Sequence, residues 1–238
     1  MENQKTVLVT GGARGIGESI CRALSADGWF VYIHCNSSVD EAERLCAELG
    51  NAKVIVADLS DPESAEKIAN ECMGVTAVVN NAGVALVDLF DKVSDEKMRK
   101  LFEINLFSPM NIVRRLLPQM ISKKQGSIVN VSSVFGESGG SCEVDYSVTK
   151  SALIGFTKAL AKEVGPAGIR VNCVCPGIID TDMNGNLSFD DIESLCDEIP
   201  LSRIGEPEDV ADVVAFLLSD KARYITGSII DVNGGWQG

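Results

Sequence analysis

The feature that most constrains this chain is its rhythm. Short, continuous apolar runs recur along the sequence, and most are followed by a stretch with helical spacing. The runs cover residues 6–10, 30–33, 53–57, 77–80, 127–131, 169–174 and 228–232, and are predicted to be strands. Segments 16–24, 40–49, 62–72, 95–122, 146–163 and 207–218 carry the helical pattern. Strands that are apolar throughout, rather than in alternation, are covered on both faces. Strands alternating with helices build a parallel sheet between helical layers. The expected fold class is therefore α/β: a doubly wound, seven-stranded parallel sheet of the Rossmann type. No linker, repeat or low-complexity tract interrupts the pattern, so residues 1–238 are expected to form a single domain. The least regular stretch, 177–199, is expected to be a mobile lid near the carboxyl edge of the sheet.

Charge and composition narrow the function. The formal net charge of −13 argues against nucleic acid, which needs a basic face. No run of about 18 apolar residues offers a membrane span. Met1-Glu2-Asn3-Gln4-Lys5 lacks the pattern of a secretion signal, so a cytoplasmic location is expected. Eight cysteines are scattered without a Cys-x-x-Cys pair, and His34 is the one histidine. That arrangement suits reduced core thiols rather than a metal centre, and no metal is expected.

Between the first predicted strand and helix lies Thr10-Gly11-Gly12-Ala13-Arg14-Gly15-Ile16-Gly17. Glycines there let the backbone turn sharply and approach a pyrophosphate, while the helix start offers free N–H groups and a positive dipole end. The spacing differs from Gly-x-Gly-x-x-Gly, and a purely structural turn is the competing reading. Placement between strand and helix favours a dinucleotide. An NAD site usually presents an acid about 20 residues later, near the end of the second strand. Here His34-Cys35-Asn36-Ser37-Ser38 contains none. Arg14 offers charge-assisted bonds to a 2′-phosphate, and Asn36 and Ser37 offer further contacts. The expected cofactor is NADPH.

Tyr146 and Lys150, four residues apart, share one helix face. An ammonium nearby is expected to lower the phenol pKa from near 10. Ser133 falls at the carboxyl end of the fifth strand, where ligands bind in open α/β sheets, whereas Ser132 alternates to the other face. Pro109 has no N–H to give to the carbonyl of Asn105 in a helix, so that carbonyl is expected to be free for a water.

These motifs occur in an order that resembles the short-chain dehydrogenase/reductase family. The resemblance spans essentially the whole chain: the Gly-rich turn, Asp58, Asn80-Asn81-Ala82-Gly83, Asn105, Ser133, Tyr146-x3-Lys150, Pro176-Gly177 and Asn233-Gly234-Gly235. It implies a hydride-transferring reductase of a ketone. It makes Ser133 the hydroxyl that positions the carbonyl, Tyr146 the proton donor, Lys150 the holder of the nicotinamide ribose, and Asn105 the anchor of a relay water. It assigns Asp58 to adenine, Asn80 and Ala82 to the adenine ribose, and Thr181 to the carboxamide. Leu59, Asn81, Gly83, Pro176, Gly177 and Ile179 complete the expected cofactor wall with Gly11, Gly15, Ile16 and Gly17.

Within the family the chain looks most like 3-oxoacyl-acyl carrier protein reductases of fatty acid biosynthesis, on residues 176–183 and Ile225-Thr226-Gly227. Such enzymes dock an acidic carrier with basic positions near the active-site mouth. Lys124, beside Lys123, matches one, and Ala167 falls where the other is basic. Ser141-Cys142-Glu143-Val144-Asp145-Tyr146-Ser147 resembles instead a subgroup that reduces an aminopentanone on a lysine of elongation factor P. Glu137, Glu143 and Asp145 would suit an amine-bearing substrate, or act only as solvated charges. A dinucleotide-binding redox sensor without turnover is the reading from another class, and an intact catalytic set speaks against it. The resemblance also implies a homotetramer or homodimer. Leu101, Ile104, Leu106, Ile112, Val113 and Leu116 include more apolar surface than one core face needs.

Overall fold

The protein was analysed as a computed structural model that describes residues 5–72, 74–185 and 188–238. Seven strands, β1 (Thr6–Val9), β2 (Phe30–Cys35), β3 (Ala52–Val56), β4 (Ala77–Asn80), β5 (Gly126–Val131), β6 (Ile169–Pro176) and β7 (Ile229–Val232), form one sheet. Its order is β3-β2-β1-β4-β5-β6-β7, with every neighbouring pair parallel. The helices are α1 (Gly15–Ala26), α2 (Val39–Leu49), α3 (Ser64–Glu71), α4 (Asp95–Phe102), α5 (Ser108–Lys123), α6 (Val144–Val164), α7 (Phe189–Glu198) and α8 (Pro207–Leu218). The doubly wound α/β sheet expected from the strand pattern is what the chain forms.

The continuous apolar runs have a simple cause. Successive side chains of a strand point to opposite faces, and here both faces are covered. Val7 and Val9 face one layer with Ile20 and Leu24 of α1 and Val214 and Leu217 of α8. Leu8, between them, faces the other layer with Ile112 and Leu116 of α5 and Val164 of α6. All of these side chains are fully or almost fully buried. Each such residue is worth about 1.5–3 kcal/mol relative to exposure.

Three sequence expectations are corrected. Stretch 177–199 is not irregular throughout: it contains a turn at Asp182–Asn184 and helix α7, opened by a Ser188/Asp191 capping box. Residues 186 and 187, which fall in that expected lid, lie outside the described residues. The predicted helix 95–122 is two helices joined by a π-helical turn, Glu103–Phe107, in which the Ser108 N–H reaches back to the Glu103 carbonyl. Residue 109 is the next whose N–H would reach back, and proline has none. An uninterrupted α-helical ladder at Asn105 is therefore absent, as Pro109 implied. Finally, the six apolar residues expected to leave surface for a partner are all buried within this one chain. Exposed apolar side chains of the region instead include Val84, Val87, Leu89, Phe90, Phe107 and Ile121.

Strand order reverses on either side of β1 and β4, the point at which such sheets open a crevice at their carboxyl ends. The segments that follow β1, β2, β4, β5 and β6 meet there.

Candidate active site

The Gly-rich turn is held by its neighbours in a shape only glycine accepts. Gly11 and Gly15 have φ of +63° and +52°. A Cβ on Gly11 would lie 3.0 Å from the Ala82 Cα, and one on Gly17 would collide with the Gly11 carbonyl. The Asn81 Nδ2 donates to the carbonyls of Thr10 (3.0 Å) and Gly11 (3.1 Å). The Thr10 hydroxyl accepts from the N–H groups of Asn81 and Ala82, both at 3.0 Å. The turn after β1 and the turn after β4 are thus one unit. Helix α1 then starts with no side chain capping its first amides, which leaves an anion site of the kind helix starts provide.

This unit borders a cavity of about 340 Å³. Every residue expected in the cofactor wall lines it, from Gly11, Arg14, Gly15, Ile16 and Gly17 through Asn36, Ser37, Asp58, Leu59, Asn81, Ala82 and Gly83 to Pro176, Gly177, Ile179 and Thr181. Asn80 does not. It is buried in the sheet, its Nδ2 donating to Asn130 at 2.8 Å. The Asp58 carboxylate accepts from the Ser60 N–H (2.9 Å) and hydroxyl (2.8 Å), and these bonds hold its pKa down. Arg14 is exposed and engaged: its guanidinium meets Asp182 at 3.0 Å across the cavity mouth.

Ser133, Tyr146 and Lys150 line the same cavity, at the carboxyl end of β5 and on the first turns of α6. The Ser133 hydroxyl, which accepts the Phe135 N–H at 3.2 Å, also lies near enough to the Tyr146 phenol to lower its pKa. Ser132 borders the cavity too, but its hydroxyl is engaged, donating to the Lys150 carbonyl at 2.7 Å. Lys150 is buried, its ammonium donating to the Val131 carbonyl at 3.0 Å and lying 5.6 Å from the centre of the Tyr146 ring. Burial pushes its pKa down to about 8. The expected lowering of the Tyr146 pKa is overturned. Burial, reinforced by the Glu143 carboxylate, pushes it up to about 12, against the lowering effect of the nearby Ser133 hydroxyl.

Asn105 does not line the cavity but supports it from behind. Its Nδ2 donates to the Val84 carbonyl (2.9 Å) and to the Thr149 hydroxyl (3.3 Å), and its Oδ1 accepts from the Val84 N–H (2.9 Å). Thr149 lies between Tyr146 and Lys150 on α6, so the π-helical turn, the segment after β4 and the catalytic helix are tied together. Of the three acids considered for substrate contact, Glu137 is exposed, Glu143 half-buried and Asp145 buried. The nearby Asp231 raises the pKa of Glu137. Lys123 and Lys124 do not flank this mouth: they precede β5, whereas Ser133 follows it. Six strand residues separate these ends by about 20 Å. Ala167 likewise precedes β6.

Several wall residues were not anticipated from sequence, among them His34, Cys35, Val84 and Met183. His34 and Cys35 end β2 at the carboxyl edge, which is the positional signal that would have found them.

A family model described as enoyl-(acyl carrier protein) reductase matches residues 11–237. The chain is 43% identical to an uncharacterized oxidoreductase, YmfI, of Bacillus subtilis, over 98% of each chain. It is 41% identical to a 3-oxoacyl-[acyl-carrier-protein] reductase of Aquifex aeolicus, over 97% of this chain and 96% of the relative. The chain belongs to the short-chain dehydrogenase/reductase family. Among solved members, a putative NAD(P)-dependent gluconate 5-dehydrogenase of Beutenbergia cavernae with bound NADP superposes with a TM-score of 0.93 at 31% identity, over 98% of this chain and 96% of that one. A 3-oxoacyl-[acyl-carrier protein] reductase of Brucella melitensis with bound NAD gives 0.90 at 34%, over 100% and 92%. This member is accordingly an NAD(P)-dependent oxidoreductase acting on CH–OH and C=O groups. The site fits that cofactor on its own terms: uncapped helix amides for the pyrophosphate, and glycines where a side chain would fill the groove. Among the described residues no helix is long and apolar enough to cross a membrane.

Proposed function

We propose that the protein uses NADPH to reduce the ketone of a 3-oxoacyl thioester, with the carrier-bound form as its substrate. The observation that carries this reading is that Ser133, Tyr146 and Lys150 open onto the cavity whose other end is the uncapped start of α1. Bound NADPH supplies the hydride to the carbonyl carbon. The Ser133 hydroxyl holds the carbonyl oxygen, and the bond electrons move onto that oxygen as the carbon is reduced. Tyr146 gives it a proton. A phenol pushed up to about 12 is fully protonated at neutral pH, and an alkoxide is basic enough to take its proton. Lys150 places positive charge beside the phenolate as it forms. The Asn105 carbonyl anchors water through which Tyr146 regains a proton. Two hydroxyls, of Ser133 and Tyr146, on one cavity suit a carbonyl rather than a carbon–carbon double bond.

Support for the thioester comes from the similarity to 3-oxoacyl reductases, at 37–41% identity over nearly the full chain. The test is turnover of an acetoacetyl thioester with NADPH and with NADH. Rapid NADPH oxidation dependent on the thioester is expected, and inertness toward it refutes the substrate.

One observation favours a second substrate. Glu143 is half-buried beside Tyr146, and burial raises its pKa. A carboxylate there would pair with an ammonium on the substrate, as on an aminopentanone carried by a lysine of elongation factor P. Mass spectrometry of that factor from a deletion strain separates the two, since only the second reading leaves an unreduced ketone on it.

A further inference from the structure

His34 makes bonds that its position at a strand end did not foreshadow. It is almost wholly buried at the carboxyl end of β2, yet it borders the cavity. Both ring nitrogens have backbone partners. Nδ1 accepts the N–H of Gly11 at 3.1 Å. Nε2 lies 3.1 Å from the Ala57 carbonyl, which can only accept, so Nε2 carries the proton. The backbone of the same residue adds a third link, its carbonyl accepting the Gly12 N–H at 2.8 Å. One residue thus grips two consecutive amides of the Gly-rich turn and fastens them to the segment after β3. On its other side Gly11 faces Ala82, close enough that a Cβ on Gly11 would lie 3.0 Å from the Ala82 Cα. At the start of α1 the Arg14 side chain caps no amide, and Gly15, Ile16 and Gly17 border the cavity.

We propose that His34 is a positioning residue for the dinucleotide: held as the Nε2–H tautomer between Gly11 and Ala57, it sets the Gly-rich turn in the shape that binds pyrophosphate. The inference rests on NADPH occupying this cavity. His34 touches no reacting atom, so its loss weakens cofactor binding and leaves the chemical step alone. The amide groups of asparagine and glutamine separate the two ring nitrogens. Asparagine places an acceptor oxygen at the distance of Nδ1 and keeps the bond from Gly11. Glutamine places its amide at the distance of Nε2 and loses that bond.

The experiment is NADPH titration, by fluorescence, of the wild type and of His34→Asn, His34→Gln and His34→Ala. Loss of a hydrogen bond to a buried N–H predicts dissociation constants raised about 5- to 100-fold for Gln and Ala. Asn should stay within about threefold of wild type. At saturating NADPH, kcat of all three should remain within about twofold. Equal binding by the Gln and Asn variants would overturn the proposal. Failure of the wild type to bind NADPH would instead remove the cofactor reading on which it rests. Nitrogen-15 spectra of the wild type give a result independent of how the variants fold. Nδ1 should be unprotonated and the Gly11 amide protected from exchange; a protonated Nδ1 would overturn the assignment.

Discussion

Replacing Lys150 with methionine should make the cofactor-free protein more stable while removing its activity. The ammonium is buried, and among the described residues it pairs with no carboxylate. Its partners are one carbonyl at 3.0 Å and the face of Tyr146. The displacement of its pKa from 10.5 to about 8 measures the cost of holding that charge in the fold. At about 1.4 kcal/mol per pH unit the cost comes to about 3 kcal/mol. Methionine fills a similar volume without charge. It leaves the Val131 carbonyl without the lysine donor, which returns about 1 kcal/mol of loss. The net gain is about 1–3 kcal/mol. For a chain of this size that raises Tm by about 2–10 °C.

The pH dependence distinguishes this account from better packing alone. Folded Lys150 gives up its proton near pH 8, whereas the unfolded chain keeps it to about 10.5. Between those values the unfolded state binds more protons, so wild-type stability rises with pH. The advantage of Lys150→Met should therefore be constant below pH 8 and shrink as pH climbs toward 10. Urea unfolding at pH 7 and pH 9.5, without cofactor, measures it. A variant less stable than wild type at pH 7, or an advantage unchanged at pH 9.5, would refute the reasoning.

Four other perturbations have defined outcomes. Tyr146→Phe should lower ketone reduction at least a hundredfold while NADPH binds within a few-fold of wild type, read by steady-state rates and fluorescence titration. Gly17→Ala drives a methyl into the Gly11 carbonyl and should abolish measurable NADPH binding and lower Tm, since no flexible side chain can yield. Arg14→Ala should cut the preference for NADPH over NADH, as a ratio of kcat/KM, about 10- to 100-fold, because its present partner Asp182 is an exposed ion pair worth little. His34 titrates near 4 in the fold, where burial outweighs the favourable Ala57 bond and the facing Asp58. Its unfolded value is near 6.5, so stability should fall as pH drops from about 6.5 to 4, by at most about 1.4 kcal/mol per pH unit, and His34→Asn should flatten that part of the urea-unfolding profile.

The sheet could be read from the sequence because its strands are buried on both faces, which writes each one as an unbroken apolar run. Lys150 and Tyr146 could be read because a four-residue spacing is fixed by helix geometry whatever surrounds it. What escaped was set by distance in the chain or by burial. The Arg14–Asp182 pair joins residues 168 apart. The grip of His34 on Gly11 depends on three parallel strands ending at one level. Helix α7 did carry a signal, Ser188 three residues before Asp191, but it stood among acids and followed an irregular turn. The Tyr146 pKa moved opposite to expectation because a helix face shows which charges are near, not how little water remains.

The two halves of the site impose different demands on the chain. The pyrophosphate end is made of backbone, and its requirements are negative: no Cβ at Gly11 or Gly17, and no side chain over the first amides of α1. The reacting end is made of side chains: an ammonium whose burial, without a carboxylate partner among the described residues, works against folding, and a phenol that burial keeps protonated. Both halves lie on one edge of the sheet, while the two apolar layers occupy the rest of the molecule. An anion over the uncapped amides offsets the first deficit, and charge developing on Tyr146 offsets the second. The ammonium that costs stability in the fold is thus one whose interactions strengthen during reaction, which is the condition for binding energy to lower a barrier rather than deepen a ground state.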